Sequence, residues 1–139
     1  MAAVKNKHQF NWSIRVYYED TDAGGVVYHA QYLNFLERAR TEWLRHFGFE
    51  HASLRENEAV IFVVHSINIQ FKKSAKLDDF LTISSQVAEI GRASFEFLQT
   101  ISLNQQILIQ AQVKLACVDA ISFKPKPFPQ PILMKLKKT

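Results

Sequence analysis

The segment with the clearest chemical potential runs from residue 17 to residue 40 and reads YYEDTDAGGVVYHAQYLNFLERAR. Two carboxylates, Asp20 and Asp22, precede the glycine pair Gly24 and Gly25, and an apolar helical pattern begins about one turn later. Glycines allow a sharp bend, and the first N–H groups of a helix have no partner within the helix, so they can donate to a substrate oxygen. A carboxylate beside such amides is typical of a hydrolase.

One strand and one helix must position this loop. Residues 10–18 alternate apolar and polar side chains, which predicts a half-buried strand. Residues 29–47 place apolar side chains at steps of three and four, which predicts a helix with one strongly aromatic face, and Gly48 is suited to end it. The loop therefore lies between the end of a strand and the start of a helix.

Four further strands are predicted downstream. Alternating patterns cover residues 63–71, 81–87, 95–103 and 107–117, with a short turn at 104–106 that makes the last two antiparallel neighbours. Four prolines between 125 and 131 predict an extended tail that ends in a short element at 132–137. Because one helix must cover the apolar faces of all strands, the expected architecture is α+β, with a curved five-stranded antiparallel sheet around one long central helix.

Size and composition restrict the function classes. The chain has 139 residues, of which 47% are hydrophobic, so we expect one domain over residues 1–139. No apolar run approaches the ~20 residues of a membrane span and no secretion signal is evident, so we expect a cytoplasmic protein. The only cysteine, Cys117, lies in an alternating strand pattern and is expected to be a buried thiol. The net charge of +4 favours an anionic partner.

The motif VYYEDTDAGGVVYHAQYLNFLERART resembles the signature of hotdog-fold acyl-CoA thioesterases of the 4-hydroxybenzoyl-CoA thioesterase class, and within them the bacterial Tol-Pal-associated subfamily. The segments KLDDFL, GRASF, CVDA and KPKPFP extend the resemblance over nearly the whole chain. It implies a hotdog fold, a homodimer or homotetramer with paired active sites, and hydrolysis of acyl-CoA. Coenzyme A is then part of the substrate, and no separate cofactor is expected.

The resemblance also assigns roles to residues. It implies that Asp22 is the general base or nucleophile, that helix N-terminal amides near Tyr28 and His29 hold the thioester oxygen, and that Tyr18 positions the carboxylate. His29 is expected to orient water or the carbonyl. Positions expected to contact the substrate, with cations for the phosphates of coenzyme A among them, are Gly25, Val27, Tyr28, Arg92, Ser94, Lys124 and Lys126.

Several alternatives compete with these roles. Asp22 could do no more than satisfy turn amides, and Asp20 is expected to have that structural role. No metal-ligand spacing is present, so no metal is expected. A hotdog dehydratase is disfavoured because its histidine loop is missing, and nucleic-acid binding is disfavoured because the lysines are not interleaved with aromatic residues. A non-catalytic module that binds acyl carrier protein or phospholipid-synthesis partners at the membrane surface is the remaining alternative.

Overall fold

The computed structural model describes residues 9–137 and shows one sheet with one long helix against it. The strands are β1 (Phe10–Arg15), β2 (Val60–Phe71), β3 (Phe80–Ile90), β4 (Ser94–Leu103) and β5 (Gln106–Asp119). The long helix is α1 (Gln31–His46), and a C-terminal helix covers Gln130–Lys137. The predicted fold class is therefore confirmed.

The sheet is antiparallel throughout and has the order β1-β3-β4-β5-β2. β4 and β5 form the predicted hairpin, whose turn residues Asn104 and Gln105 both have positive φ, as a two-residue hairpin turn requires. The 12-residue strand β2 is an edge strand, and its pairing with β5 shifts register between Val64 and Ser66. This bulge bends the strand, and it keeps one apolar stripe on the same face on both sides of the shift.

Helix α1 lies against the concave face of the sheet. Its buried residues fall on one face, and the aromatic members are Tyr32, Phe35 and Trp43. The Trp43 ring packs edge-on against Phe97 of β4, with 4.9 Å between ring centroids. Because Ile83 of β3 and Val113 of β5 are also fully buried, the main core lies between α1 and the three central strands.

The structure differs from the predicted elements in the bounds of three strands and in the connection from α1 to β2. β2 begins at Val60 instead of residue 63, and β3 extends to Ile90 instead of residue 87. β1 ends at Arg15 instead of residue 18, because Tyr18–Asp20 form a single 3₁₀ turn. Helical turns at His51–Ser53 and Leu54–Glu58, which the sequence pattern did not predict, connect α1 to β2. The connection is too short and polar to show a helical period. Among residues 9–137, no helix has the length and apolar character that crossing a bilayer requires.

Candidate active site

The acidic loop is a small hairpin fixed by backbone hydrogen bonds. The Asp22 N–H donates to the Val26 carbonyl at 2.9 Å, and the Gly25 N–H donates to the Asp22 carbonyl at 3.0 Å. Thr21 and Val27 form a bridge at its base. Gly25 has a φ of 82°, a conformation that favours glycine. The backbone around Asp22 is thus held before any substrate binds.

The Asp22 carboxylate has one tied and one available oxygen. Its Oδ1 accepts the Gly24 N–H at 2.8 Å, while no donor contacts Oδ2 among the described residues. A Cβ atom added at Gly24 would lie 3.2 Å from Oδ1, so the glycine leaves room for this carboxylate. The side chain is exposed in the protomer. This arrangement orients the carboxylate and leaves an oxygen for a proton or an acyl carbon.

Asp20 has the structural role expected of it. It is 5% exposed, and its Oδ2 accepts the Tyr17 N–H at 2.8 Å. Its Oδ1 accepts the Gln31 Nε2–H at 2.7 Å, and its backbone carbonyl accepts the Tyr28 N–H at 2.9 Å. Asp20 therefore ties the strand end to the first turn of α1. The sequence analysis did not identify Gln31 as a partner of Asp20. The one signal for this role is the position of Gln31 at the start of the helix pattern.

Two of the expected substrate contacts are used by the fold instead. The Val27 side chain is 3% exposed, and its N–H donates to the Ala75 carbonyl at 2.9 Å. Tyr28 donates its N–H to Asp20, so this amide is not available to a thioester oxygen. Val27 and the Tyr28 amide thus hold the loop against the rest of the fold, so neither the buried Val27 side chain nor this amide is available to the substrate, and contact of the exposed Tyr28 ring with substrate stays a prediction.

Of the Tyr28 and His29 amides expected to hold the thioester oxygen, that of His29 remains available. Helix α1 begins at Gln31, after Ala30, and the His29 N–H has no partner within residues 9–137. The exposed His29 ring packs on Tyr28, with 4.6 Å between centroids, and edge-on against Phe71 at 6.3 Å. The His29 N–H, with the neighbouring Ala30 N–H that also lacks a partner in the described residues, is therefore available to the thioester oxygen, beside an imidazole that contacts two aromatic rings.

Tyr18 does not make the hydrogen bond predicted for it. Its side chain is 83% exposed, and no hydrogen bond joins its hydroxyl to Asp22 in the described part of the chain. The carboxylate is instead fixed by Gly24. A different tyrosine stabilises the loop. The buried Tyr32 hydroxyl accepts the Ala75 N–H at 2.9 Å, and the Ala75 carbonyl in turn accepts the N–H of Val27 in the loop. Burial raises the pKa of Tyr32, the hydrogen bond with Ala75 opposes that rise, and the charges of Asp79 and Asp22 add to it.

The predicted phosphate-binding cations lie at the other end of the sheet. Arg92 is exposed in the β3–β4 turn, and its carbonyl accepts the Phe128 N–H at 3.3 Å. Lys124 is exposed, whereas the Lys126 Nζ donates to the Glu58 carbonyl at 3.1 Å and lies 3.7 Å from Asp119 Oδ1. Arg92 and Lys124 are thus available cations, and Lys126 is partly occupied by internal contacts.

Ser94 belongs to a separate cleft. It is exposed at the start of β4 and lines a cavity of about 430 Å³ on the outer side of the sheet, together with His65, Glu89, Glu96 and Lys114. The cleft is lined by both acidic and basic side chains. Ser94 follows Arg92 by two residues in the sequence, so the cleft lies at the same end of the sheet as Arg92.

Residues 16–136 match the family model described as the thioesterase-like superfamily. The chain belongs to this superfamily. Within residues 9–137, no group of three or more His, Cys, Asp or Glu side chains is placed to hold a metal ion. The superfamily predicted from the loop motif is confirmed.

Thioesterases from several bacteria resemble the chain over most of its length. "Acyl-CoA thioesterase YbgC" from Haemophilus influenzae is 48% identical over 123 residues, which cover 88% of this chain and 90% of the relative. "Acyl-CoA thioester hydrolase YbgC" from Escherichia coli O6:H1 is 44% identical over 133 residues, 95% of this chain and 98% of the relative. The crystal structure of a probable thioesterase from Bartonella henselae superposes with a TM-score of 0.83 at 38% identity, and covers 87% of this chain and 99% of the other.

In one protomer of this thioesterase, the loop that carries Asp22 and the candidate phosphate-binding cations lie at opposite ends of the sheet. His29 contacts Phe71 at one end of β2, whereas Asp119, which contacts Lys126, pairs with Val60 at the other end. At roughly 3.3 Å per residue, a straight strand of this length would span about 36 Å, and the bulge in β2 makes the separation of its ends shorter than that. The carboxylate and the cations of one protomer therefore do not line one pocket.

Proposed function

We propose that this protein is an acyl-CoA thioester hydrolase, with Asp22 as general base or nucleophile. The observation that carries the proposal is the Asp22 carboxylate, held by the Gly24 amide with Oδ2 available, on the loop that also presents the unpaired His29 N–H. The relatives named acyl-CoA thioesterases cover nearly the whole chain, which supports the same reaction and substrate class.

The reaction needs a nucleophile and a place for negative charge. Asp22 Oδ2 takes a proton from water as water attacks the thioester carbon, or attacks that carbon itself to form an anhydride that water then hydrolyses. The carbonyl oxygen becomes negative in either route, and the His29 N–H donates to it. In the first route the C–S bond breaks as Asp22 passes the proton it took from water to the sulfur of coenzyme A. In the second route the sulfur leaves as a thiolate that takes a proton from solvent, and water then splits the anhydride to restore Asp22, so either route consumes one water for each free acid released.

We propose that each active site is completed by a second protomer. β2 is an edge strand with exposed apolar side chains, Val64, Ile67 and Phe71 among them, and a two-fold partner can pair with it. Antiparallel pairing of two β2 strands brings the Val60 end of one protomer beside the Phe71 end of the other. Arg92 and Lys124 of one protomer then lie near Asp22 of its partner, where they can bind the phosphates of coenzyme A.

We propose that two such dimers associate through the outer face of the sheet to form the predicted homotetramer. The centre of that face is rich in uncharged amides, and Gln70, Gln86, Gln110 and Gln112 line a depression of about 380 Å³ there. Amides both donate and accept hydrogen bonds, so the face is complementary to a second copy of itself. The cytoplasmic location, the Tol-Pal association, the acyl carrier protein partner and peripheral membrane contact stay predictions.

Release of free thiol from acyl-CoA tests the proposed function. We expect the parent protein to release one thiol for each acid formed, and Asp22→Asn to retain substrate binding while losing turnover. A hotdog dehydratase keeps the thioester intact and releases no thiol, and a binding module releases none either. A parent protein that binds acyl-CoA without thiol release would overturn the proposal.

A further inference from the structure

A positively charged side chain lies in the interior of the fold. Arg40 of α1 is 9% exposed, and its Nη1 donates to Gln99 Oε1 of β4 at 3.0 Å. The Gln99 Nε2 in turn donates to the Leu36 carbonyl at 3.0 Å and to Ser85 Oγ at 2.9 Å. This network satisfies Gln99 completely and uses only one nitrogen of Arg40.

The rest of the Arg40 guanidinium has no protein partner within residues 9–137. No carboxylate lies within 4 Å of it, and neither Nε nor Nη2 makes a hydrogen bond there. Burial lowers the pKa of Arg40, and the charge of Glu37 opposes that effect. No fully buried side-chain polar atom in the described part of the chain lacks a partner, so the two remaining nitrogens reach open space. These donors need an acceptor in that space, which water supplies in the free protein and a polar group of a ligand can replace.

That space is a cavity of about 110 Å³ between α1 and β2. Its walls are largely aromatic and aliphatic, and four of them are the rings of Trp43, Phe62, Phe95 and Phe97. The polar groups that line it are Glu37, Arg40, Thr41 and His51. An apolar chamber with a few convergent polar groups is the ordinary form of a small-molecule site.

The position of the cavity matches the acyl end of the substrate in the two-protomer site, and the inference therefore rests on the proposed function. Phe62 pairs with Cys117 near the Val60 end of β2, and Phe95 lies three residues after Arg92. This is the end of the sheet that approaches Asp22 of the partner. One protomer would then hold both ends of the substrate, with the phosphates outside the sheet and the acyl group beneath α1.

We propose that this cavity takes a short acyl group that carries a hydroxyl, which Arg40 and Glu37 recognise together. The guanidinium donates to the hydroxyl oxygen, and the Glu37 carboxylate accepts the hydroxyl proton. A carboxylate-terminated acyl group satisfies only Arg40 and is repelled by Glu37, whereas an alkyl group satisfies neither. A hydroxyl within reach of both Arg40 and Glu37 lies only a few carbons from the thioester, which favours short hydroxyacyl groups.

Pairs of substrates with equal shape test the role of Arg40. In 3-hydroxybutyryl-CoA and 3-methylbutyryl-CoA, a hydroxyl replaces a methyl group, and 4-hydroxybutyryl-CoA and pentanoyl-CoA form a second such pair. For at least one pair we expect the parent to favour the hydroxylated member about tenfold in kcat/KM, the lower end for one hydrogen bond to a charged group. Arg40→Met should remove this preference, because it should lower kcat/KM for the hydroxylated member about tenfold more than for the alkyl member.

A matched control is available on the same helix. Arg38→Met removes the same charge from an exposed position that does not line the cavity, so the preference should survive. Because Arg40→Met leaves the buried Gln99 oxygen without its donor, thermal unfolding should accompany the kinetics. If Arg40→Met does not fold, the exposed Glu37→Ala and the charge-preserving Arg40→Lys should each weaken the preference in a folded protein.

The outcomes separate the two proposals. A parent that hydrolyses both members of each pair equally well overturns the cavity assignment and leaves the thioesterase reaction in place. A preference that persists in folded Arg40→Met overturns the role of Arg40. A parent that hydrolyses no acyl-CoA overturns the proposed function itself.

Discussion

The two ends of the sheet show different ways of presenting charge. At the acidic end, the Gly24 amide fixes the Asp22 carboxylate, and hydrogen bonds of the hairpin and of the buried Asp20 fix the backbone of its loop. At the cationic end, Arg92 and Lys124 extend from a turn and a proline-rich segment without side-chain partners among residues 9–137. A reacting group gains from a fixed position, whereas a group that attracts a remote phosphate needs only charge and reach.

Asp22→Asn tests the acidic end and should have the largest effect. The amide keeps the size and the Gly24 contact of the carboxylate but cannot act as base or nucleophile, so we expect kcat to fall about a thousandfold. Binding of acyl-CoA, measured by calorimetry, should change little. Near-normal turnover would remove Asp22 from the mechanism.

Asp20→Asn should act on the fold of the same loop instead of on the chemistry. One carboxylate oxygen becomes an NH₂ group, so either the Tyr17 N–H or the Gln31 amide loses its acceptor in a buried position. We expect a loss of about 1–3 kcal/mol in the free energy of unfolding, measured in urea, and a smaller fall in kcat than for Asp22→Asn. Equal losses of kcat at the two positions would contradict this division of roles.

Gly25→Ala tests how much the backbone conformation of the hairpin contributes to the stability of the acidic end. Nothing lies within 4 Å of an added Cβ, so the cost comes from the φ of 82° alone and should be about 1 kcal/mol. Gly24→Ala is the contrast, since its Cβ would press on Asp22 Oδ1 and should lower kcat more than it lowers stability. Thermal unfolding and kcat measured on both variants distinguish strain from displacement of the carboxylate.

At the cationic end, Arg92→Ala and Lys124→Ala should each raise KM for acyl-CoA severalfold with little change in kcat, because they bind a remote group equally in ground and transition states. The effect should shrink as salt rises. Acyl pantetheine lacks the adenosine phosphates and should be hydrolysed equally by parent and variants. An equal loss with the truncated substrate would mean that these residues act through the fold or the chemistry.

Lys126→Ala should have the smallest effect on KM of the three cation replacements. Its ammonium group already contacts the Glu58 carbonyl and Asp119, so it is less available to a phosphate than Lys124. A KM increase equal to that of Lys124→Ala would show that the substrate displaces these internal contacts.

The sequence predicted those features that depend on local periodicity. The strands and the central helix follow from patterns within about twenty residues, whereas the choice of Asp22 over Asp20 as the reacting carboxylate comes from the resemblance to the thioesterase family, and the catalytic role of Asp22 stays a prediction. The occupation of the Tyr28 amide by Asp20, the burial of Val27 and the partial occupation of Lys126 depend on contacts between distant segments, which no local pattern specifies. Arg40 lies on an apolar helix face, and its burial depends on Gln99, 59 residues away along the chain.

The single thiol has a practical consequence for measuring this enzyme. Cys117 is the only cysteine in the sequence, and burial raises its pKa to about 11, although Lys126 opposes that rise. At pH 8 only about one thiol in a thousand is then ionised, and the thiolate is the reactive form. A thiol-specific dye added to the native protein should therefore report coenzyme A alone, and continuous assays need neither a cysteine-free variant nor a correction for the enzyme's own sulfur.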